Sequence, residues 1–368
     1  MKELRIKDIC DKGSSNLKQK DVEGKNGQYP VYGASGIISH IDTYHQEENY
    51  IAIVKDGSGI GRVTFMPAKS SVIGTMQYIL PKEGFNINYI GYCLQSLDLS
   101  KYKQGAAIPH IYFRDYGERI VKVTEDTKEQ QSIVDYLDSA FAKIDAMKAN
   151  AEKSLNEAKA LFQASLKEML EPKEGWEEKR IDEVCSIARG GSPRPIKAYI
   201  TNDSNGLNWI KIGDTDMGGK YIYSTKEKIK PEGLKKSRWV EEDEFLLSNS
   251  MSFGRPYILK TNGCIHDGWL VLRDYQKYLD IDFFYYVLSS ENVQKQFRIK
   301  AQGSTVSNLN TDRVASVIIY VPTIERQQSI VTTLDSLKSK VDRLQANFEK
   351  ISQECNALKQ AILRQVFE

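Results

Sequence analysis

The sequence predicts a mixed α+β protein in which one plan, a globular α/β module followed by a long helical arm, occurs twice as a pseudo-twofold internal repeat. Three observations predict this fold class. The chain has 368 residues, more than one hydrophobic core normally serves. A short motif recurs 197 positions further along the chain. Two long segments carry apolar residues at alternating spacings of three and four, which is the heptad pattern of a coiled coil.

The repeat is clearest where each arm begins. The sequence Glu-Gln-Gln-Ser-Ile-Val starts at Glu129, and Arg-Gln-Gln-Ser-Ile-Val starts at Arg326. Each is followed by Leu-Asp-Ser, at Leu137 and at Leu334. The modules before the arms match more loosely, which indicates loops of different length. A repeat of about 200 residues is too long for a solenoid, so we expect two separate modules.

Segment boundaries follow from prolines and from a threonine. Pro172 and Gly175 end the first arm, and Pro322 precedes Thr323, a residue suited to cap the second arm. The expected segments are a first module at 1–126, a central helical arm at 127–171, a second module at 172–323 and a C-terminal helical arm at 324–368.

The two arms are expected to pack on each other as an antiparallel coiled coil. Each is about 44 residues long, or about 65 Å if fully helical, and neither contains proline or glycine. Antiparallel packing is favoured because the module between them can bring the chain back. The alternative is a long core helix, but charged outer positions over about six heptads favour the coiled coil. The predicted packing residues are Ile133, Leu137, Ile144, Leu155 and Phe162 in the first arm, and Ile330, Leu334, Val341, Leu344, Phe348, Ile351, Leu358 and Ile362 in the second.

Apolar patterns within the modules predict both strands and helices. The predicted strands are 50–54, 78–80, 208–212, 245–247 and 317–321, and the predicted helices are 87–97 and 281–290. The run Gly57–Gly61 resembles a nucleotide-binding loop. The residues after it continue as a strand instead of opening a helix, so we predict a tight hairpin there.

Composition excludes several classes of protein. The formal net charge of +2 does not by itself indicate a nucleic-acid binder, so any binding of a polyanion must come from local clusters. No apolar run approaches the roughly 18 residues of a membrane helix, and no signal peptide is visible, so we expect a cytoplasmic protein. Five isolated cysteines and four scattered histidines give no metal-binding spacing, and we expect no metal site.

Sequence motifs for catalysis are absent as well. There is no G-x-x-x-x-G-K-[ST] loop, no N-P-P-[YF] or D-P-P-[YF] turn of an amino-methyltransferase, and no recognisable nucleophile motif. The chain therefore lacks an evident ATPase or methyltransferase centre.

Four sequence motifs, taken in their order along the chain, together resemble those of the DNA-specificity subunit of type I restriction–modification enzymes. The resemblance covers nearly the whole chain. The first module has Gly-Gln-Tyr-Pro-Val-Tyr-Gly-Ala-Ser-Gly-Ile from Gly27 and Gly-Ala-Ala-Ile-Pro-His-Ile from Gly105. The second has Arg-Gly-Gly-Ser-Pro-Arg-Pro from Arg189 and Gly-Ser-Thr-Val-Ser-Asn-Leu-Asn from Gly303. The glutamine-rich starts of the arms resemble the helical regions of that family.

The resemblance implies two target-recognition domains, each reading one half of a bipartite site in double-stranded DNA. The helices would set the spacer between half-sites and dock DNA adenine methyltransferase subunits. Those partners would bind S-adenosylmethionine, and translocase/endonuclease subunits would join for cleavage. This chain would hold no cofactor and would perform no chemistry.

Residues suited to DNA contact lie in loops at matching places of the two modules. Arginine and glutamine suit base edges, whereas lysine and serine suit phosphates. The candidates are Arg62, Lys103, Gln104 and His110 in the first module, and Arg189, Ser192, Arg194, Arg255, Ser304 and Thr305 in the second. Each cluster alone is compatible with an ordinary solvated loop. Two rival functions stay open, a self-contained DNA methyltransferase or nuclease and a coiled-coil adaptor that binds no DNA.

Overall fold

The computed structural model describes residues 1–105, 109–215, 218–249, 254–301 and 309–368. These residues form two compact units, one of Met1–Lys153 with Ala346–Glu368 and one of Ser154–Gln345. Each unit combines strands and short helices with a part of both long helices. The predicted mixed α/β fold with an internal repeat is confirmed.

The first unit contains nine strands among its described residues. They are β1 (Lys2–Arg5), β2 (Cys10–Ser14), β3 (Tyr29–Gly33), β4 (Gly36–Ile41), β5 (Tyr50–Val54), β6 (Val63–Met66), β7 (Ser71–Val72), β8 (Met76–Pro81) and β9 (Ile120–Val123). Its helices are α1 (Ile6–Ile9), α2 (Gln19–Val22), α3 (Ile87–Ser96), α4 (Phe113–Tyr116) and the first part of α5 (Thr127–Met169).

Strand β5 lies inside the main sheet of this unit, which has the order β2-β8-β5-β6 and is antiparallel. All five residues of β5 are buried, which explains the uninterrupted apolar run Tyr50–Val54. β5 and β6 pair as a hairpin, as predicted, but the hairpin is not tight, because residues 55–62 lie between the two strands. Gly57, Gly59 and Gly61 have φ angles of 81°, 82° and 83°, a backbone region that disfavours any residue with a Cβ. A second sheet has the order β4-β3-β7.

The described part of the second unit holds twelve strands. They are β10 (Glu177–Arg180), β11 (Ser186–Arg189), β12 (Ile200–Thr201), β13 (Leu207–Ile210), β14 (Tyr221–Ile222), β15 (Glu227–Ile229), β16 (Arg238–Val240), β17 (Phe245–Ser248), β18 (Pro256–Leu259), β19 (Gly263–Ile265), β20 (Trp269–Arg273) and β21 (Ile318–Val321). Its helices are α6 (Ile181–Val184), α7 (Ile281–Ser289), α8 (Glu291–Ala301), α9 (Thr311–Ala315) and the first part of α10 (Ile324–Phe367).

Two five-stranded sheets form the second unit, with the orders β11-β20-β17-β18-β14 and β12-β15-β13-β19-β16 in the described residues. The predicted strands at 208–212, 245–247 and 317–321 and the predicted helix at 281–290 are confirmed within one or two residues. Strand β17 is buried throughout and pairs with both β18 and β20. It occupies the interior position that β5 occupies in the first unit.

The repeated motif at the start of each arm has a structural cause in a buried glutamine. The Oε1 atom of Gln130 accepts a hydrogen bond from the backbone N–H of Asn86 at 2.7 Å, while its Nε2 donates to two backbone carbonyls. Gln327 repeats this arrangement, accepting from Asp280 N at 2.8 Å and donating to two carbonyls. Asn86 and Asp280 are themselves the N-caps of α3 and α7. Each glutamine therefore joins a long helix to the cap of a domain helix.

The Leu-Asp-Ser motif has a similar explanation. Tyr92 on α3 donates a hydrogen bond to the Asp138 carboxylate, and Tyr286 on α7 donates to the Asp335 carboxylate. The preceding leucines, Leu137 and Leu334, are fully buried. Both motifs thus dock the start of a long helix on its own α/β domain.

The long helices meet inside each unit. In the first unit, Cys355 Sγ lies 3.7 Å from the Ile144 carbonyl oxygen, and Lys359 Nζ lies 5.2 Å from the centroid of the Phe141 ring. The earlier position of α5 thus meets the later position of α10, so the helices run antiparallel there, as predicted. In the second unit, Lys159 Nζ donates to Gln345 Oε1 at 2.8 Å.

Burial along the helices follows the predicted seam with one departure. The buried members are Leu137, Ile144, Leu155, Ile330, Leu334 and Val341, and the partly buried members are Ile133, Phe162, Leu344, Phe348, Ile351 and Ile362. Leu358, however, is 48% exposed, whereas Leu363 is 2% exposed. An α-helix drifts by about 20° per heptad against a strict seven-residue repeat, so the buried face moves away from Leu358 after Cys355.

Three further properties bear on function. None of the described helices combines the length and the apolar character needed to cross a membrane. Within the same ranges, no three histidine, cysteine, aspartate or glutamate side chains converge to hold a metal ion. All five cysteines are buried, and burial raises the pKa of the Cys10 thiol to about 12, so this thiol is a poor nucleophile.

Candidate functional site

Strand pairing brings two distant loops of the second unit together. β11 pairs antiparallel with β20, with Arg189 opposite Leu270, so the loop after β11 and the loop before β20 leave the sheet side by side. The contact is close, because a Cβ on Gly190 would lie 2.2 Å from the His266 carbonyl oxygen. Only glycine fits there, which explains the Gly-Gly pair after Arg189.

Three of the sequence-predicted residues converge on Asp267 in this place. Ser192 Oγ donates to Asp267 Oδ1 at 2.6 Å, and Arg194 Nη2 donates to Asp267 Oδ2 at 3.4 Å. Arg189 Nε donates to the Asp267 carbonyl oxygen at 3.2 Å. The Ser192 hydrogen bond lowers the pKa of the Asp267 carboxyl, and the charge of Arg194 adds to this effect, so the carboxylate stays ionised.

A fourth residue joins this cluster from the end of β17. Asn249 Nδ2 donates to the Asp267 carbonyl oxygen at 2.8 Å, and the Asn249 carbonyl accepts from Leu309 N at 2.9 Å. Arg255, which directly precedes β18, has an exposed side chain. We call Arg189, Ser192, Arg194, Asn249 and Asp267 the Asp267 cluster. Asp267 was not predicted from the sequence, because no motif in the residues around it indicates a binding site.

The guanidinium groups of the cluster face solvent. Arg194 has an 81% exposed side chain, and Arg189 is also exposed. Ser304 and Thr305, predicted from the sequence to act here, lie outside the described residues. Leu309, described just after them, is the residue that donates to Asn249.

His266, beside Asp267, is a packing residue. Backbone N–H groups of Ile212 and Gly268 point at its two ring nitrogens, at 3.2 Å and 2.8 Å. A neutral imidazole has one acceptor nitrogen and can accept from one of these groups, whereas a protonated ring can accept from neither. Burial also lowers the pKa of His266, which favours the neutral ring. Its ring lies 6.2 Å from the Trp209 ring, and both residues line an open cavity of 780 Å³ together with Arg194.

In the first unit, Gln104 and His110 lie beside the end of β5. Gln104 and His110 exchange backbone hydrogen bonds at 2.7 Å and 2.8 Å, and Ile111 N donates to the Lys55 carbonyl at 2.9 Å. The His110 ring is paired with the Asp56 carboxylate. Gln104 Nε2 donates to Asp115 at 2.9 Å.

An aromatic stack extends this surface. The Tyr112 ring lies parallel to the His110 ring, with centroids 6.1 Å apart, and the Arg114 guanidinium covers Tyr112 at 4.6 Å. Tyr112 is an exposed aromatic residue. Sequence reasoning missed Tyr112 and Arg114, although an aromatic and basic run directly after His110 was a usable signal.

Arg62 and Lys103 lie apart from these contacts. Arg62 lines a cavity of 500 Å³ with Asp98 at the end of α3 and with Gln360 and Arg364 of α10. Lys103 is exposed and follows a short helical turn at Leu99–Tyr102. The structure thus brings Gln104 and His110 together and places Arg62 beside the C-terminal helix.

Comparison with known proteins gives one family and several solved structures. The model of the type I restriction modification DNA specificity domain matches residues 1–157 and 173–353. A chain solved in work on complex assembly and conformational transition of the type I R-M system is 18% identical, with a TM-score of 0.76 over 98% of this chain and 96% of that chain. The HsdS subunit from Thermoanaerobacter tengcongensis is 17% identical, with a TM-score of 0.57 over 98% of this chain and 95% of that chain. The two structures share the fold, and the family match spans most of the chain.

Proposed function

Because the chain belongs to the type I restriction–modification DNA specificity family, we propose that its two α/β domains read the two halves of one bipartite DNA target. The chain is a DNA-recognition subunit and is not itself catalytic. Its partners are DNA and the other components of the restriction–modification complex. The DNA specificity family to which the chain belongs does not itself bind a cofactor.

The observation that carries the assignment of the second domain is the convergence of Arg189, Ser192 and Arg194 around Asp267. Two exposed guanidinium groups a few residues apart present many N–H donors in fixed directions. Such groups bind phosphate or pair with the O6 and N7 atoms of guanine in the major groove. Arg255, Ser304 and Thr305 are proposed to make further contacts with the same half-site.

In the first domain, we assign DNA contact to Gln104 and to the stack of His110, Tyr112 and Arg114. Gln104 suits the adenine edge, and an exposed aromatic ring covered by arginine suits contact with bases or sugars. Lys103 and Arg62 are proposed to contact phosphates. This surface is poorer in arginine than its counterpart in the second domain.

The segment boundaries belong to the same proposal. Residues 1–126 and 172–323 are proposed as the two target-recognition domains, and 127–171 and 324–368 as helical arms that dock DNA adenine methyltransferase subunits. Those subunits would bind S-adenosylmethionine, and translocase/endonuclease subunits would join them. A cytoplasmic location is part of the same proposal, because the chain is proposed to act on DNA.

Methylome sequencing tests the proposal directly. A host that carries the partner genes is sequenced with and without the gene for this chain. We expect a bipartite methylated motif that disappears when the gene is removed. Persistence of all methylated motifs would refute the function, and loss of a continuous motif would refute the assignment of one domain to each half.

The double change Arg189→Ala and Arg194→Ala tests the second domain. Loss of two guanidinium donors should lower affinity for the intact target by about ten-fold or more, since one good base contact contributes about 1–3 kcal/mol. Recognition of the first half-site should persist, as measured by binding to duplexes altered in one half at a time.

A matched control for this change is Arg180→Ala with Lys277→Ala. These two exposed residues contact Asp182 and Tyr278 in the same unit, so the control removes equal charge outside the Asp267 cluster. Equal loss of affinity in the control and in the test variant would show a general charge effect and would remove Arg189 and Arg194 from the proposal.

A further inference from the structure

We propose that Asp267 is a positioning residue for target recognition: its carboxylate fixes the loop Arg189–Pro195 and aims Arg194 at the DNA. This inference rests on the proposed function. It adds a residue that the function does not assign, and one whose negative charge would by itself argue against a place on a DNA-binding surface.

All four polar atoms of Asp267 are occupied by residues of the predicted DNA-contacting loops. Its backbone N–H donates to Ser192 Oγ at 3.3 Å, and its Oδ1 accepts from the same hydroxyl at 2.6 Å. Its carbonyl oxygen accepts from both Arg189 and Asn249, and its Oδ2 accepts from Arg194. One residue therefore joins three separate chain segments: the end of β11, the end of β17 and the start of β20.

The two carboxylate contacts differ in strength, and this difference separates their roles. The Ser192 contact is short and partly buried, so it fixes the path of the loop. The Arg194 contact is long, at 3.4 Å, and involves a side chain that is 81% exposed. A guanidinium has five N–H donors, so Arg194 keeps free donors while Asp267 restrains its direction.

The electrostatic cost of this arrangement supports the inference. The Asp267 side chain is 45% exposed, and an ionised carboxylate there repels the phosphates of any duplex that approaches. A residue that only held the fold together would not need a charge in this place. A residue that orients arginine does need one, and the penalty falls on every DNA sequence alike.

Removal of the Asp267 charge should change two measurable quantities in opposite directions. In Asp267→Asn, the amide oxygen still accepts from Ser192, but the charge and the pairing with Arg194 are lost. The full-length chain in complex with its partners should bind a duplex without the target a few-fold more tightly at low salt. Its preference for the correct second half-site over an altered one should fall by about ten-fold. A purely structural role would weaken both.

The test measures methylomes of cells that carry the wild-type chain, Asp267→Asn or Asp267→Ala together with the partner genes. We expect the half-site read by the second domain to become degenerate, more in Asp267→Ala than in Asp267→Asn, while the first half-site stays unchanged. Asp243→Asn is the matched control, since Asp243 is a carboxylate paired with Lys260 in the same unit and outside the cluster. It should leave both half-sites unchanged.

Three results would overturn the inference. They are an unchanged second half-site in both variants, equal loss of both half-sites in Asp267→Asn, and degeneracy in the Asp243→Asn control equal to that in Asp267→Asn. If Asp267→Ala does not fold, the isosteric Asp267→Asn decides alone. A wild-type methylome without a bipartite motif would instead refute the proposed function, so the two failures are distinguishable.

Discussion

A single histidine shows how burial decides chemistry in this molecule. His266 lies next to the candidate DNA-reading cluster, where an imidazole could act as a donor to bases. Two backbone N–H groups already point at its ring nitrogens, and the ring packs between Trp209 and Trp269. It therefore contributes as an apolar ring, and the polar contacts belong to Asp267 beside it.

This environment predicts a pH dependence of stability. Burial lowers the pKa of native His266 below the 6.5 of an unfolded histidine, so protons bind more readily to the unfolded chain. The stabilisation by the neutral ring is complete above pH 6.5 and declines as the pH falls below it. Urea unfolding at pH 7.5 and at pH 5.5 measures this decline, and His266→Gln should show a smaller one. An equal decline in the variant would contradict the buried neutral ring.

At the scale of one element, the C-terminal helix illustrates the limits of a heptad pattern. The apolar spacing of α10 continues through Leu358. The buried positions there are Cys355 and Leu363, with Lys359 partly buried between them. The end of the helix packs on the α/β core of the first unit, where Phe367 contacts Tyr89. Docking on a globular domain, in addition to the partner helix, sets which face is buried there.

Alanine substitutions at two leucines of α10 test this packing. Leu363→Ala removes a fully buried side chain and should lower the free energy of unfolding by about 2–5 kcal/mol. Leu358→Ala is the matched control, because half of that side chain is exposed, and it should cost less than about 1 kcal/mol. Both are measured by chemical denaturation. A larger loss of unfolding free energy in Leu358→Ala than in Leu363→Ala would show that the strict heptad pattern continues to the end of α10.

At the scale of the whole molecule, the two halves of the internal repeat share the same kind of stabilising contacts as well as similar sequence motifs. One hydrophobic core cluster contains only residues of the first unit, which lie within 6–144 and 355–367. Another contains only residues of the second unit, all between Leu166 and Leu334. Each core is joined to a long helix by its own buried glutamine, Gln130 or Gln327. The two halves of the repeat therefore carry separate sets of stabilising contacts.

Local destabilisation by glutamine variants tests this separation. Gln130→Ala leaves buried backbone groups unpaired and should destabilise the first unit by about 2 kcal/mol. Hydrogen–deuterium exchange should rise in peptides of that unit and stay unchanged in the second, and Gln327→Ala should give the reverse. The exposed neighbours serve as controls, with Gln131→Ala and Gln328→Ala expected to change little. Uniform exchange throughout the chain would contradict separate cores.

Apolar periodicity and the repeated motif were enough to predict much of the fold. The strands at 50–54 and 245–247, the helices at 87–97 and 281–290, and the two long helices follow from patterns within a few neighbouring residues, and they agree with the structure. The resemblance placed Arg189, Ser192 and Arg194 in one loop. It left Asp267 and Tyr112 without any role.

The sequence alone determines the fold class, the internal repeat and the coiled-coil pattern. Helix and strand periods are set by neighbouring residues, and the repeat is visible when one segment is compared with another. The Asp267 cluster, the position of Arg62 beside α10 and the exposure of Leu358 depend on folding. Antiparallel pairing places Arg189 beside Leu270, about 80 positions away, and loop lengths then decide which side chains meet. Contacts between distant segments follow from strand register and domain docking, which no short stretch of sequence encodes.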